Sequence, residues 1–479
     1  MFEYAEAAVE GALAAGATYA DARVVVGRQE HLGVQDDVVQ ALDRTEEAGL
    51  GVRALHGSSW GFFATPELTT KRARRAGEQA AAIAAASALV PGPALEFADV
   101  PVVEDHYATP VEEHPFELSL SEKVELLLEV SRTMRAVDGI AVARASLTFW
   151  DTHKWFVSSQ GHRIHQHLVE SGGGFDATAV GEHEVQRRSY PQSFGQFETG
   201  GFETIRKWDY VGNAERIATE AVQLLDAAEM EERETALILE SSQLALQIHE
   251  SVGHAIELDR ILGWEAAFAG TSHLRLEELG RHRYGSELMN ITADATLPGA
   301  LGTFGYDDEG TPAQRVPIVE EGIWVGVLSG RDTAALVGLP PGGMVRADGY
   351  NRIPMVRMTN VGLLPGDSSL DEIIADTKDG VYMATNRSWS IDDQRLNFQF
   401  GCEIAWEVKN GKLGRMLKNP TYTGITPRFW ATLDRVAGED EWVFWGTPNC
   451  GKGQPMQVAH TGHPAAPARF SRVRVGVRA

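Results

Sequence analysis

Ile248-His249-Glu250-Ser251-Val252-Gly253-His254 is the stretch around which the rest of the chain organises. It reads H-E-x-x-x-H: two imidazoles with a carboxylate beside the first. Neutral imidazoles are ligands for a divalent ion such as zinc, and an adjacent Glu can take a proton from water at that ion. In the shorter H-E-x-x-H of zinc peptidases the two His are four residues apart, about 40° apart around a helix, and face one way. One further residue moves the second His to about 140°, which a straight α-helix cannot bring to the same metal. The spacing therefore predicts a local departure from the α-helix between Glu250 and His254, with a π-type i→i+5 turn absorbing the extra residue. Gly253 suits a crowded bend because it adds no Cβ.

The flanks place this motif in a fold. Thr235-Ala236-Leu237-Ile238-Leu239 reads as a buried strand, and Ser241 or Ser242 as the cap of the next helix. Leu244, Ile248, Val252 and Ile256 recur every four residues and predict a core-facing stripe. His249 and Glu250 then lie at the border between core and cavity. Beyond about residue 290 short apolar runs and many glycines predict mostly β-structure, closed by the alternating stretch Phe470 to Val477. The fold class read from this is α+β. An N-terminal α/β domain (residues 1–230) precedes a β-rich C-terminal domain (residues 231–479) that carries the metal-binding helix. The charged run Glu229–Glu234 marks the boundary.

In the N-terminal part, residues 2–15 read as an Ala-rich helix ending at Gly16, and Ala22–Val26 as a strand. Leu50–Leu55 and Trp60–Phe63 predict a hairpin around His56-Gly57. Thr65-Pro66 is expected to open a helix to about Leu89, and residues 91–116 to form a Pro-rich, acidic surface loop. Ser119 or Ser121 should cap a helix to about Val137. From Ile140 to Val180 alternation predicts strands, with Gly161 and Gly172–Gly174 as turns. A Gly-, Gln- and Phe-rich loop (190–204) then precedes a helix capped by Asn213.

Composition narrows the class. With 479 residues, 43% hydrophobic and 23% charged, the chain is an ordinary globular protein long enough for two or three cores. A net charge of -24 argues against nucleic-acid and anionic-membrane partners. No apolar run reaches the roughly 18 residues a span requires. Glu3, Glu6 and Glu10 interrupt the N-terminal apolar residues and no Lys or Arg precedes Arg23, so no signal peptide is read. Only Cys402 and Cys450 occur, which fits a reducing cytoplasmic setting.

A zinc site needs a third protein ligand. Glu257, Asp259, the run Asp307-Asp308-Glu309, Cys402 and Cys450 are the candidates. Cys402 lies in an apolar alternating run with Phe398, Phe400, Ile404 and Trp406, and is expected to be a core thiol. Cys450 lies in a turn-rich stretch, Trp445 to Gly453, able to aim a thiolate into a cavity. Asp307-Asp308-Glu309 reads either as a solvated turn or as a cation- or substrate-contacting loop. His162, His165 and His167 form H-x-x-H-x-H, with the last two on one face of a strand; packed or surface roles are the ordinary expectation there, a metal role the sharper one. His460-Thr461-Gly462-His463-Pro464 reads as a loop.

Taken together these segments resemble the TldD/PmbA family of metallopeptidases, also called modulators of DNA gyrase. Gly49-Leu50-Gly51-Val52-Arg53 is similar to the family's G-x-G-V-R hairpin, and His249–His254 with the adjoining Ala255–Asp259 to the peptidase helix of the TldD branch. Asp307–Pro312 matches its D-D-E-G loop, Arg357-Met358-Thr359-Asn360 with Pro365-Gly366-Asp367 another hallmark, and Asn449-Cys450-Gly451-Lys452 its Cys-Gly-Lys. The resemblance implies zinc on His249, His254 and Cys450, with Glu250 as general base. It implies a dimer, either with itself or with a PmbA-like subunit that lacks the metal motif. It implies cleavage of unfolded or small peptides and peptide maturation. The expectation is thus a cytoplasmic zinc metallopeptidase of the TldD type. The alternative is a catalytically silent zinc-binding partner subunit for peptide binding and dimer formation.

Overall fold

The computed structural model describes residues 1–90, 95–268 and 270–477. The N-terminal part is built on one sheet. β1 (Tyr19–Gln35), β2 (Val38–His56) and β3 (Ser59–Thr65) are joined by tight turns, and the predicted hairpin closes with His56 opposite Ser59. β4 (Glu104–Ala108), β5 (Ile140–Ser158) and β6 (Arg163–Val180) extend it in the order β3-β2-β1-β5-β6-β4. β7 (Val185–Tyr190) and β8 (Gln196–Thr199) pair along β6. One face is covered at one end by α1 (Phe2–Ala14) and α2 (Thr70–Ser87), over Val24, Val52 and Val157. At the other end α3 (Leu120–Arg135) and α5 (Tyr210–Asp226) cover Leu32, Leu147 and Phe175, with the short α4 (Glu203–Lys207) beside them.

Several local expectations are corrected. Thr65 does not cap a helix: it is still paired in β3, opposite Leu50, and a residue before Pro resists the helical conformation. Thr69 caps α2 instead, its Oγ1 accepting from Arg72 N at 3.3 Å. Asp209, not Asn213, caps α5. Gly172–Gly174 are not a turn but lie within β6, where a Cβ would strike Gln196 O, Ser146 O and Gly195. Within 91–116, residues 91–94 lie outside the described ones, and Glu104–Ala108 is strand rather than loop, because it hydrogen-bonds in parallel along β6. The Ser119 cap and the turn at Gly161 stand as expected.

The second sheet begins at Ala228–Glu229 and contains the buried strand Arg233–Leu239. That strand is flanked by Asp379–Ile391 in parallel and by the closing strand Ala468–Val475 antiparallel. Thr421–Ile425 and Asn397–Lys409 continue the order, and Asn397–Lys409 pairs back onto Asp379–Ile391, so these strands close on themselves. Their interior residues Leu237, Phe400, Cys402, Tyr422 and Phe470 form the largest core together with the stripe Leu244, Ile248, Val252 and Ile256. The fold is α+β, and the motif helix packs on strands Asp379–Ile391, Val361–Leu363, Val443–Lys452 and Gln457–Ala465.

The Asp307-Asp308-Glu309 run is neither a solvated turn nor open to a cation. All three are buried. Asp307 accepts from the amides of Glu309, Thr311 and Val345. Asp308 meets Arg23 at 3.1 Å and Lys154 at 3.3 Å. Glu309 meets Arg53 at 2.8 Å, and Arg53 also grips Asp21. The G-x-G-V-R hairpin and the D-D-E-G loop, far apart in sequence, are two halves of one buried ionic contact between the N-terminal sheet and a loop of the second half.

Candidate metal centre

The motif starts on α6 (Ser241–Ile248), which leaves strand Arg233–Leu239 directly. Glu240 caps it, its carboxylate accepting from Ser242 N, where a serine cap was expected. From His249 to Gly253 the helix widens into the predicted π-turn, with His254 N donating to His249 O at 3.2 Å. The bend is held from outside: Tyr284 OH donates to Ser251 O at 2.5 Å and Trp430 Nε1 to Ser251 Oγ at 3.0 Å. The two motif rings end 4.9 Å apart. A Cβ on Gly253 would run into the sulfur of the fully buried Met358. Gly253→Val should therefore lower metal affinity by displacing His254, and the overpacking should cost about 1–3 kcal/mol of stability. Metal titration beside a denaturation curve reads both; unchanged metal affinity would remove the turn's assigned role.

Cys450 comes from the hairpin of Val443–Lys452 and Gln457–Ala465. Its Sγ lies 3.7 Å from His254 Nε2, and the donor atoms of His249, His254 and Cys450 all lie within 4.8 Å of one another, buried. The hydrogen bonds behind these groups decide whether they fit a metal. His463 Nδ1 lies 2.9 Å from Val361 O, which only accepts, so that nitrogen carries the proton. Its Nε2 then accepts from His249 Nδ1 at 2.7 Å. His254 Nδ1 donates to Glu257 Oε2 at 3.1 Å. Both motif rings are thereby fixed with a lone pair on Nε2, as in metal-binding histidines oriented by an outer carboxylate or imidazole. Burial holds both imidazoles below the usual range, favouring the neutral, ligating form. Burial would raise the Cys450 thiol, but the proton shared with His254 Nε2 and the Arg357 guanidinium outweigh burial and lower it, and that proton is the one a metal ion would displace. Two neutral His and a thiolate suit Zn²⁺ and leave a position open for water or substrate.

The other candidate ligands are occupied elsewhere. Glu257 and Asp259 are bridged by the buried Lys452 at 3.2 and 2.8 Å, which gives the Lys of Cys-Gly-Lys its place. Burial alone would raise the Glu257 carboxyl; Lys452 and His254 hold it well below the usual range. Cys402 is a core thiol, as expected. His165 and His167 lie on β6 and His162 just before it, where its Nδ1 meets Ser158 Oγ.

Glu250 is buried at the edge of a cleft of about 400 Å³ lined also by Phe194, Leu246, Trp389, Ile391 and Arg395. Its Oε2 accepts from Arg395 Nη1 at 2.7 Å, and no other hydrogen bond to the described residues involves its carboxylate. His463, Arg395 and the orienting role of Glu257 were not read from the sequence. The His460–Pro464 loop reading is also corrected: the segment is strand, paired to Val443–Lys452, and this turns His463 toward His249.

The PmbA/TldA metallopeptidase C-terminal domain matches residues 232–476, domain 1 matches residues 20–84 and the central domain residues 113–227. The chain belongs to the PmbA/TldD metallopeptidase family. As a PmbA/TldD member it is a hydrolase of the metallopeptidase class. It is 28% identical over 93% of its length to a metalloprotease of Methanocaldococcus jannaschii, covering 94% of that protein. It is 29% identical to a zinc metalloprotease TldD homologue of Saccharolobus solfataricus, over 48% of this chain and 49% of that one. A crystal structure from Thermotoga maritima, described as a modulator of a DNA gyrase, shares the PmbA/TldD fold. It superposes with a TM-score of 0.77 at 16% identity, covering 99% of each chain. Among the described residues no helix is long and apolar enough to cross a membrane.

Proposed function

We propose that this chain is a zinc-dependent metallopeptidase hydrolysing peptide bonds in unfolded or small peptides, with zinc held by His249, His254 and Cys450. The observation that carries the reading is the oriented donor set: both Nε2 lone pairs and the Cys450 thiol converge at the mouth of a cleft that also holds Glu250. Zinc bound there supplies Lewis acidity, polarising the scissile carbonyl and acidifying water. Glu250 takes the proton of the attacking water through its unengaged oxygen and passes it to the leaving amine. Arg395 fixes the opposite carboxylate oxygen and so sets that orientation. His463 and Glu257 hold the two ligand rings in the ligating tautomer. The enzyme works in the cytoplasm as a dimer, with itself or with a PmbA-like subunit; a light-scattering mass that stays near 52.2 kDa across concentrations would count against the dimer.

The thiols test the ligand assignment. Cys450→Ala should lose bound zinc and peptide cleavage together, whereas Cys402→Ala should keep both at a modest packing cost. Zinc content by atomic emission alongside a fluorogenic peptide assay reads this. Full zinc in Cys450→Ala would overturn the site. Zinc bound tightly with no cleavage of any unfolded peptide would favour the silent partner subunit.

A further inference from the structure

The N-terminal sheet gathers a second set of imidazoles. Register puts His153 on β5 opposite His167 on β6, and His106 on β4 opposite His165. Asp151, two residues from His153 on β5, shares their face, and His114 reaches in from the loop after β4. The place in the fold explains why polar rings are tolerated. This strip lies between the α1/α2 cover, which ends at Trp155 and Val157, and the α3/α5 cover, which ends at Phe149. The opposite face of the same strands, carrying Thr152, Lys154, Gln166 and Glu170, lines a separate cavity toward the second half of the chain. The strip is therefore remote from the Cys450 centre and open to solvent: the side chains of His114, His167 and His153 are 20%, 27% and 36% exposed.

We propose that His114, Asp151 and His167, with His153 beside them, form a second divalent transition-metal site. His167 Nε2 lies 2.8 Å and His114 Nε2 3.5 Å from the Asp151 carboxylate, and one donor atom from each of the three lies within 4.8 Å of the others. Donors sharing a tetrahedral zinc at about 2.0–2.1 Å must stand roughly 3.3 Å apart; the two contacts to Asp151, one on each carboxylate oxygen, are already near that spacing, and the two imidazole donors, within 4.8 Å of each other, would close by at most about 1.5 Å. His153 stacks on His167 at 4.0 Å with its Nε2 3.9 Å from Asp151, beside the three-donor group rather than within it. Imidazole nitrogen with one carboxylate is a donor set for zinc, nickel or copper rather than for calcium or magnesium.

The competing explanation is an ordinary ion pair. Arg28 already grips the same carboxylate, with Nη2 at 2.6 Å and Nε at 2.9 Å. The two readings make opposite predictions. If Asp151 exists to pair Arg28, Arg28→Ala only weakens the sheet. If Asp151 is a metal ligand, Arg28 is a competing cation and Arg28→Ala should tighten metal binding several-fold.

The test is equilibrium dialysis of the full chain against Zn²⁺, repeated with Co²⁺ as a spectroscopic probe. Wild type should bind two ions and Cys450→Ala one. Cys450→Ala/His167→Ala should bind none, its affinity falling by more than the roughly 10–100-fold expected for loss of a ligand's outer partner. His114→Ala, in a partly exposed loop, serves as a second variant should His167→Ala misfold. Co²⁺ in the proposed site should give visible ligand-field bands without thiolate charge transfer, since the site has no sulfur; the Cys450 site should give both. Failure of the Cys450 assignment would appear as charge transfer persisting in Cys450→Ala, independent of the His167 result. A single ion in wild type, binding only at millimolar Zn²⁺, or an unchanged count in both His variants, would overturn the second site.

Discussion

Glu250→Gln should reduce peptide cleavage by about 10²–10⁴-fold while the protein keeps its zinc. The amide is nearly isosteric with the carboxylate and can still accept from Arg395 through its oxygen, so the cleft keeps its shape. What disappears is an oxygen able to take a proton from water and return it to the amine. Because Glu250 is not in the donor set, metal content should not fall with activity. Arg395→Ala should give a milder loss that resides in kcat, since Arg395 orients Glu250 and does not touch the donors. Zinc lost together with activity in Glu250→Gln would make Glu250 a ligand. Retained activity would assign proton transfer to another group.

Arg53→Met is the substitution expected to cost most in stability, about 3–5 kcal/mol. Arg53 is buried and bound to two buried carboxylates, 2.7 Å from Asp21 and 2.8 Å from Glu309. Removing it leaves Asp21 with the Tyr19 hydroxyl and Glu309 with the Arg331 amide, and neither with a cation among the described residues within ion-pair distance. Burial pushes the Glu309 carboxyl up and Arg53 opposes that push. Without Arg53 the carboxyl rises further above its unfolded value. A raised folded pKa gives stability that is present at low pH and lost as pH climbs through it. Because Glu309 is already raised to about 8 in the wild type, the destabilisation by Arg53→Met should grow as pH climbs past about 8, where the wild-type carboxyl ionises beside Arg53 and the variant's does not. Adding Glu309→Gln should recover part of the loss, because an amide is cheaper to bury unpaired than a carboxylate. Denaturant unfolding of the single and double variants across pH measures this; additive losses, or a pH-independent cost, would dissolve the proposed coupling.

The features legible in the sequence were mainly local and periodic. The four-residue stripe from Leu244 to Ile256, the hairpin at His56-Gly57 and the π-turn each arise from spacing within one segment. Cap positions slipped where a neighbouring strand or a better acceptor intervened, as with Thr69 over Thr65 and Glu240 over Ser241. The outer partners of the proposed ligands were not legible at all. His463 meets His249 across 214 residues, and nothing near either residue announces the meeting. The buried state of Asp307-Asp308-Glu309 was hidden for the same reason: three adjacent carboxylates look solvated until Arg23, Arg53 and Lys154 arrive from another sheet. The histidines of β6 were visible singly, but their crowding depends on strand register, which a one-residue slip would have sent to the other face.

The π-turn from His249 to Gly253 also bears on how such a chain relates to peptidases with the shorter spacing. In effect it is a one-residue insertion that the helix has swallowed without rotating the residues beyond it. No series of point substitutions turns one arrangement into the other; a single-codon gain or loss does. Deleting Val252 would offer the helix an unbroken α-path that still presents both imidazoles on one side, but it would withdraw one core side chain and rephase Ser251 against Tyr284 and Trp430. The two spacings are thus neighbours in genetic distance and separated by their packing shells, so a five-residue pattern used as a search key passes over chains whose ligands meet in the same way.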